Sequence, residues 1–238
     1  MAIRTVWRDL MELRQAPRLT IDLMLQKTEG NDAFFGEVVR KFYKAATARH
    51  PRMPLIPHMR YGVAVYVMPP THKEYLMGIE ASARRNIKKA SRNGYVFRRI
   101  DFNDHLADVG EIHRSTSVRQ GPMSSVFQSD PMPLADPESQ TNCHDYVYYG
   151  VLKEGKLFAY GSCLIAGEAL LLTNVFGHDG FKSDAVVPLL ITEIAADAYE
   201  RYPLVRYYVY DKYYGAGQTL RRFKKKFGFS SSIVNWRL

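Results

Sequence analysis

The sequence predicts a mixed α+β fold in which helices flank a central, mostly antiparallel sheet. Runs rich in β-branched and aromatic residues recur along the chain, as in YGVAVYVM at 61–68. Segments with apolar residues at three- and four-residue steps alternate with these runs and predict helices. Tight turns at 154–155 and 166–167 join three of the strands, which favours an antiparallel meander. From residue 95 the predicted order is β-α-loop-β-β-β-α-β-α-β, typical of a mixed sheet with helices on its faces.

The composition limits the classes of protein and partner to consider. The chain has 238 residues, 46% of them hydrophobic, enough for one large domain or a domain with an extension. No stretch reaches the roughly 20 apolar residues that span a bilayer, and charges near the start argue against a secretory signal. Cys143 and Cys163 lack metal-site spacing, so we expect reduced thiols, a cytoplasmic location and no metal.

The net charge of +9 favours polyanionic partners such as nucleic acid, nucleotide phosphates or an acidic carrier protein. A solvated basic surface would have the same composition.

Residues 1–58 are predicted to form a helical extension that ends in a linker. Asn31 and Asp32 are suited to cap a helix, and apolar residues follow them on one helical face. The segment PRMPLIP at 51–57 contains three prolines and interrupts any helix. The predicted domain division is therefore 1–58 and 59–238.

A long helix is predicted after the strand at 61–68. Thr71 and Glu74 have the spacing of a capping box, and Asn93-Gly94 suits a helix end. One face of this helix is basic, with Arg84, Arg85, Lys88, Lys89 and Arg92. The remaining predicted elements are strand 95–101, helix 103–118, loop 119–140, strands 146–152, 157–165 and 169–176, helix 184–201, strand 205–210, helix 218–227 and strand 231–236.

This order of elements resembles the GNAT superfamily, and two motifs resemble its Fem-type branch more narrowly. That branch includes peptidoglycan aminoacyl-tRNA transferases and single-domain relatives that are usually labelled acetyltransferases. ARRNIKKASRNGYVF at 83–97 resembles the branch's "R-x-x-I-x-K-A-x-x-x-G" motif, and TLRRFKKKFGF at 219–229 resembles its "G-L-x-x-F-K-x-x-F-G" ending. The resemblance covers about 60–238 and is clearest over 146–238.

The resemblance implies a GNAT fold and an N-acyltransferase that moves an acyl group from a thioester, with acyl-CoA as the expected donor, to an amine-bearing acceptor. In GNAT proteins a loop and the following helix N-terminus hold the donor's pyrophosphate through backbone N–H groups. The matching loop here is GHDGFKSDA at 177–185. The implied donor-binding residues are Asn174, Val175, Phe176, Gly177, Gly180, Lys182, Ser183 and Ala185.

Two residues of this loop depart from the family pattern. Ser183 stands at a usual glycine, and Asp184 puts a carboxylate where a pyrophosphate would lie. A carboxylate at this position is also a good helix N-cap, which we expect as the role of Asp184.

The resemblance also implies the catalytic residues. Lys224 occupies the position where coenzyme-A enzymes of the superfamily carry a tyrosine, and we expect its ammonium to stabilise a developing oxyanion. Asp211 is a candidate acceptor for the amine's proton, and Tyr213 or Tyr214 a candidate donor. His178 is a second possible base. A polar turn with aromatic packing and an exposed loop histidine are the alternative interpretations.

The loop at 119–140 is long, and we expect it to select the acceptor through Arg119 and Gln120 at its start. Three functions stay open. The first is thioester-dependent N-acyl transfer, and the second is aminoacyl-tRNA-dependent transfer, favoured by Lys224, Asp184 and the basic helices. The third is a non-catalytic GNAT-like module that binds nucleic acid or an acyl carrier protein. The sequence has no Walker A loop, nucleophile elbow or dinucleotide fingerprint.

Overall fold

The computed structural model describes residues 11–27, 33–50, 53–119, 125–127, 129–134, 141–214 and 217–238. The strands of this part of the chain are β1 (Arg18–Asp22), β2 (Arg49–His50), β3 (Met53–Pro57), β4 (Tyr61–Val67), β5 (Val96–Arg99), β6 (His144–Lys153), β7 (Lys156–Ala166), β8 (Ala169–Gly177), β9 (Tyr207–Lys212) and β10 (Ser230–Arg237). The helices are α1 (Ala33–Thr47), α2 (His72–Gly78), α3 (Ala81–Arg92), α4 (Leu106–Arg114), α5 (Val186–Arg201) and α6 (Gln218–Lys226), and residues 11–15 are helical as well.

Eight of these strands form one mixed sheet in the order β1-β10-β4-β9-β8-β7-β6-β5. Strands β5 to β8 pair antiparallel in sequence order, which confirms the predicted meander. β8 and β9 are parallel and are joined through α5. β4 lies between β9 and β10 and pairs antiparallel with both, so the predicted mixed sheet with flanking helices is confirmed.

The predicted helical extension over residues 1–58 contains the helix α1, but it also contains strands that the prediction missed. Arg18–Asp22 is the strand β1, which pairs in parallel with β10 along five residues. Met53–Pro57 is the strand β3, which pairs with the short β2 outside the main sheet. Pairing with the distant β10 overrides the local pattern at β1, whereas β3 pairs with its neighbour in the chain. The domain boundary at 58 stays a prediction, and the proposed caps Asn31 and Asp32 lie outside the described residues.

The single helix predicted over 71–92 is two helices, α2 and α3. Ile79 and Glu80 between them have extended backbone conformations. Thr71 caps α2 as predicted, because its hydroxyl accepts a hydrogen bond from the N–H of Glu74. The guanidinium of Arg84 donates to carbonyls at the end of α2, which satisfies groups that the break leaves without helical partners.

The sheet has two covered faces, and β7 shows the division between them. Ala159, Cys163 and Ile165 pack on the first face, which α2, α3, α5 and α6 cover. Leu164 and Ala166 point to the second face, where α1 packs over one part of the sheet. α4 packs over another part of the second face, close to the start of β7 and the end of β8.

Candidate active site

The parallel strands β8 and β9 separate within the sheet. Their last paired residues are Leu171 and Val209. β8 nevertheless continues to Gly177 beside β7, and β9 continues to Lys212 beside β4. A gap therefore opens between the C-terminal halves of the two strands, and one backbone edge of each strand is left without a partner strand among the described residues.

A β-bulge lies on the β9 side of this gap. Between the residues of β9 that pair with Val65 and Val63 of β4, one extra residue is inserted. Tyr210 and Asp211 form the bulge, and Asp211 has a left-handed backbone with φ +49°. Asp211 was predicted to follow the strand, but it lies within β9 and is exposed.

Lys224 reaches this bulge from α6. Its side chain is buried, with 1% of the residue exposed. The ammonium Nζ donates to the carbonyl of Tyr210 at 2.6 Å and to that of Lys212 at 2.7 Å, and it lies 4.5 Å from the centre of the Tyr210 ring. Burial lowers the pKa of Lys224 to about 8, although the nearby Asp211 opposes this shift. An ammonium has three N–H donors, so one remains for a further acceptor.

Lys212 forms a second basic cluster, on the second face. It lies opposite Val63, whose side chain belongs to the second-face core, and paired residues of neighbouring strands share a face. Its Nζ lies 3.0 Å from Nδ1 of His58, and the His58 ring stacks on His50 at 5.5 Å. Burial lowers the pKa of Lys212. The pKa of His58 is lowered mainly by burial and additionally by the charge of Lys212. Sequence reasoning missed this pair because its members are 154 residues apart.

Polar side chains cross the second face along β6, β7 and β8. The hydroxyls of Ser162 and Thr173 lie 2.7 Å apart, and the amide Nδ2 of Asn174 donates to the Ser162 hydroxyl at 2.9 Å. The hydroxyl of Tyr146 lies 3.2 Å from that of Thr173. This polar row interrupts a face that is apolar under α1 and α4, and it could accommodate a polar ligand.

The predicted donor residues at the end of β8 divide between the two faces. Val175 packs against the first-face core, and Phe176 packs beside α4 on the second face. Gly177 lies so close to the start of α5 that a Cβ atom there would approach the Val187 side chain to 2.4 Å. A side chain at residue 177 would therefore force β8 and α5 apart.

A 3₁₀ segment, Asp179–Asp184, joins β8 to α5. The His178 ring caps it, because Nδ1 accepts a hydrogen bond from the N–H of Gly180 at 3.2 Å. Lys182 forms an ion pair with Asp179. Ala185 has a left-handed backbone with φ +63° and precedes the first turn of α5. These contacts give the predicted phosphate loop a compact shape of its own.

The prediction that Asp184 caps α5 is wrong. Its carboxylate accepts hydrogen bonds from the Tyr95 hydroxyl at 2.8 Å and from the Asn93 amide at 3.3 Å. The ammonium of Lys89 donates to the Ser183 carbonyl at 2.6 Å. The loop is thus tied to the C-terminal end of α3, and partners from outside the loop hold the Asp184 carboxylate.

Arg119 lies at the end of β8 beside α4. Its Nη2 donates to the carbonyls of Ile112 and Gly177, both at 3.0 Å, and its guanidinium lies 5.2 Å from the centre of the Phe176 ring. Burial lowers the pKa of the neighbouring His113 to about 4, and the charge of Arg119 adds to this effect. Gln120, the other predicted acceptor residue, lies outside the described residues.

The structure places the predicted residues in groups on either side of the gap. Lys224 and Asp211 lie at the β9 bulge, and Tyr213 and Tyr214 follow it with ring centres 5.5 Å apart. Tyr214 packs over Gly62 of β4. The loop residues from 174 to 185, with Arg119, lie on the β8 side. The roles that the sequence predicts for all these residues stay predictions.

Within the described ranges, no three His, Cys, Asp or Glu side chains are grouped closely enough to hold a metal ion. No helix in this part of the chain combines the length and apolar character that a membrane crossing needs. Both cysteines are free and buried.

Comparisons with known proteins find solved structures that are similar to this one. No family model matches the chain, and no curated protein matches it. The structure of FemX is similar, with a TM-score of 0.54 and 13% identity over 72% of this chain and 59% of that one. The C-terminal domain of a lysylphosphatidylglycerol synthetase from Agrobacterium fabrum has a TM-score of 0.47 and 15% identity, over 71% of this chain and 57% of that one. The ribosomal-protein-S18-alanine N-acetyltransferase from Escherichia coli has a TM-score of 0.32 and 15% identity, over 46% of this chain and 62% of that one.

This chain therefore spans less than two thirds of each of these three structures. At 13% identity, the similarity to FemX concerns the fold alone. The chain therefore has a fold similar to that of FemX.

Proposed function

We propose that this protein is an N-acyltransferase that binds an acyl donor in the β8–β9 gap and transfers the acyl group to an amine. The observation that carries the proposal is the gap itself, with the desolvated ammonium of Lys224 at its β9 edge. The unpaired backbone edge of β8 offers N–H and C=O groups to an extended donor arm. The fold is consistent with this arrangement.

The proposed reaction requires three groups around the acyl carbon. The amine nitrogen attacks the carbonyl carbon and forms the C–N bond, and negative charge develops on the carbonyl oxygen. Lys224 has one N–H donor left after its two backbone contacts, which suits it to stabilise this oxyanion together with backbone N–H groups of β8. The C–S bond of a thioester then breaks, and the thiolate leaves.

The amine must also lose a proton. Asp211 is an exposed carboxylate at the bulge and could accept it. The Lys212–His58 pair on the second face is another candidate, because the depressed pKa of both groups favours their neutral, proton-accepting forms. The proton finally passes to the departing thiolate, so the products are an amide and a thiol.

Acyl transfer can be tested with a panel of acyl-CoA donors and primary amines, with release of free thiol as the readout. We expect Lys224→Met to lower kcat by about 100-fold, the usual effect of removing one oxyanion donor. Lys225→Met, at an exposed position on the same helix, should leave kcat unchanged. If neither an acyl-CoA nor an acyl carrier protein binds in calorimetry, a thioester donor is excluded.

The second candidate function is transfer from an aminoacyl-tRNA, which belongs to the same reaction class. It is favoured by the lysine at position 224 and by the exposed cations of α3. A filter-binding assay with tRNA over a salt series tests it, because phosphate contacts require affinity to fall steeply with salt. Retained cellular function after replacement of both Lys224 and Asp211 would instead favour a non-catalytic binding module.

A further inference from the structure

The outer face of α3 forms a basic groove beside the predicted phosphate loop. Ala83 and Ala90 are buried against the first-face core, so the opposite side of the helix faces outward. A cavity of about 270 Å³ lies there, and we call it the α3 groove. It is lined by Arg85, Lys88, Lys89, Arg92 and Asn93.

The charges of the α3 groove are not neutralised by the described part of the protein. All four cations are exposed, and the structure shows no ion pair for any of them within the described ranges. Arg85 with Lys89, and Lys88 with Arg92, are like-charge pairs four residues apart, which repel each other on a helix. Bound anions would relieve this repulsion. The cations extend over about 10 Å of helix axis, which is long enough for more than one phosphate group.

The groove is connected to the loop at the start of α5. Lys89 donates to the Ser183 carbonyl, and Asn93 donates to the Asp184 carboxylate. A phosphate chain in the α3 groove would therefore lie next to the loop that the GNAT fold offers to a donor.

A row of aromatic rings begins where the groove ends. Tyr95 packs edge-on against Phe158 at 5.4 Å, Phe158 against Phe181 at 4.6 Å, and Phe181 against His178 at 5.0 Å. Phe158, Phe181 and His178 are each partly exposed. Recognition of nucleotides and single strands combines two components. Cations bind the phosphates, and aromatic rings stack on the bases.

We propose that the α3 groove binds the phosphates of a nucleotide whose base stacks on Phe181. The inference rests on the proposed function only where it identifies this nucleotide as part of the acyl donor. Two donors share the required chemistry, because coenzyme A and the 3′ end of a tRNA both carry an adenosine next to phosphates. Either donor would therefore explain the basic face of α3.

Binding measurements test the groove independently of catalysis. The probes are 3′-phosphoadenosine 5′-diphosphate and a labelled single-stranded RNA that ends in CCA, each titrated over a salt series. We expect Lys88→Ala combined with Arg92→Ala to lower the affinity for the bound probe by about tenfold. For the RNA the salt slope should also fall by about 1.4, since each lost phosphate contact in a single strand contributes about 0.7. Saturable binding of the small nucleotide indicates a coenzyme A-type donor, and binding of the RNA alone indicates a tRNA-type donor.

The matched control removes the same charge elsewhere. Arg40→Ala combined with Lys41→Ala changes two exposed cations of α1, on the second face, and should leave both titrations unchanged. Equal losses for the two double variants, with folding confirmed by thermal melting, would overturn the proposal, because the binding would then depend on net charge alone. Phe181→Leu should lower the affinity for 3′-phosphoadenosine 5′-diphosphate and leave the affinity for inorganic pyrophosphate unchanged.

The two proposals fail in different ways. If nucleotide binding depends on the groove but no acyl transfer occurs, the proposed function is wrong and the groove assignment holds. If transfer occurs and the groove variant keeps the wild-type KM for the donor and wild-type affinity for both probes, the groove assignment is wrong and the function holds.

Discussion

Lys224 carries a charge inside the protein, and its lowered pKa makes stability depend on pH. Burial disfavours the charged form and lowers the pKa to about 8, from 10.5 for an ordinary lysine. The native state therefore releases this proton near pH 8, whereas the unfolded chain keeps it until about pH 10.5. Because the unfolded state binds more protons between these values, the contribution of Lys224 to stability rises with pH across this window.

The size of the effect follows from the two pKa values. Their difference of about 2.5 units corresponds to about 3 kcal/mol, at about 1.4 kcal/mol per unit. Below pH 8 the charged side chain lowers the free energy of unfolding by this amount relative to a neutral amine. The penalty disappears gradually as the pH rises through the window to 10.5.

Lys224→Met isolates this contribution, because methionine fills similar space and does not titrate. The substitution also leaves the carbonyls of Tyr210 and Lys212 without the ammonium, which costs about 1–3 kcal/mol each at any pH. We therefore expect the unfolding free energy of the wild type minus that of the variant to rise by about 3 kcal/mol between pH 7 and pH 10.5. Urea unfolding at several pH values measures this difference.

The control for this experiment is Lys225→Met on the exposed side of the same helix. It reports the effect of removing any lysine from α6. The difference in unfolding free energy between the wild type and Lys224→Met could also stay constant across this pH range. That result would refute the lowered pKa of Lys224, and with it the argument that burial prepares Lys224 for charge stabilisation.

Two further substitutions test packing and electrostatics elsewhere. Gly62→Ala should lower the free energy of unfolding by about 2–4 kcal/mol, because φ is +69° and the new Cβ would lie 2.4 Å from the Tyr214 ring. Gly155→Ala, with φ +80° and open space around it, should cost only about 1 kcal/mol in thermal or urea unfolding, and equal losses would contradict the clash. Asp184→Asn should lower the pKa of Tyr95 from about 12, because burial and then the Asp184 carboxylate raise it. A phenolate absorbance titration, with Tyr95→Phe to identify the signal, checks this, and an unchanged value would exclude the contact.

Local patterns predicted those parts of the fold that depend on neighbouring residues. The three strands of the meander alternate with two-residue turns, and positive φ at Glu154, Gly155 and Gly167 supplies the backbone that such turns need. The capping spacing of Thr71 and Glu74 likewise predicted the start of α2. In each case the interacting groups are within a few residues of each other, so spacing alone specifies the contact.

The same reasoning failed where a long-range contact changed the local outcome. The pattern at 71–92 is continuous, yet the chain breaks at Glu80, whose N–H donates to Lys226 of α6 and whose carboxylate binds Arg222. Asp184 has the position of a helix cap, but Tyr95 holds its carboxylate from 89 residues away. Neither partner can be found from the spacing of nearby residues.

The sequence alone determined the order of strands and helices from residue 95 onward, the basic face of α3 and the motifs that resemble Fem-type proteins. Only the tertiary structure decided that β1 and β4 pair in the main sheet, that β8 and β9 separate after Leu171, and that Lys224 is buried against the β9 bulge. Periodicity specifies local conformation through contacts a few residues apart. Strand pairing and the burial of a charge depend instead on which distant backbone groups remain to be satisfied once the helices and turns have formed.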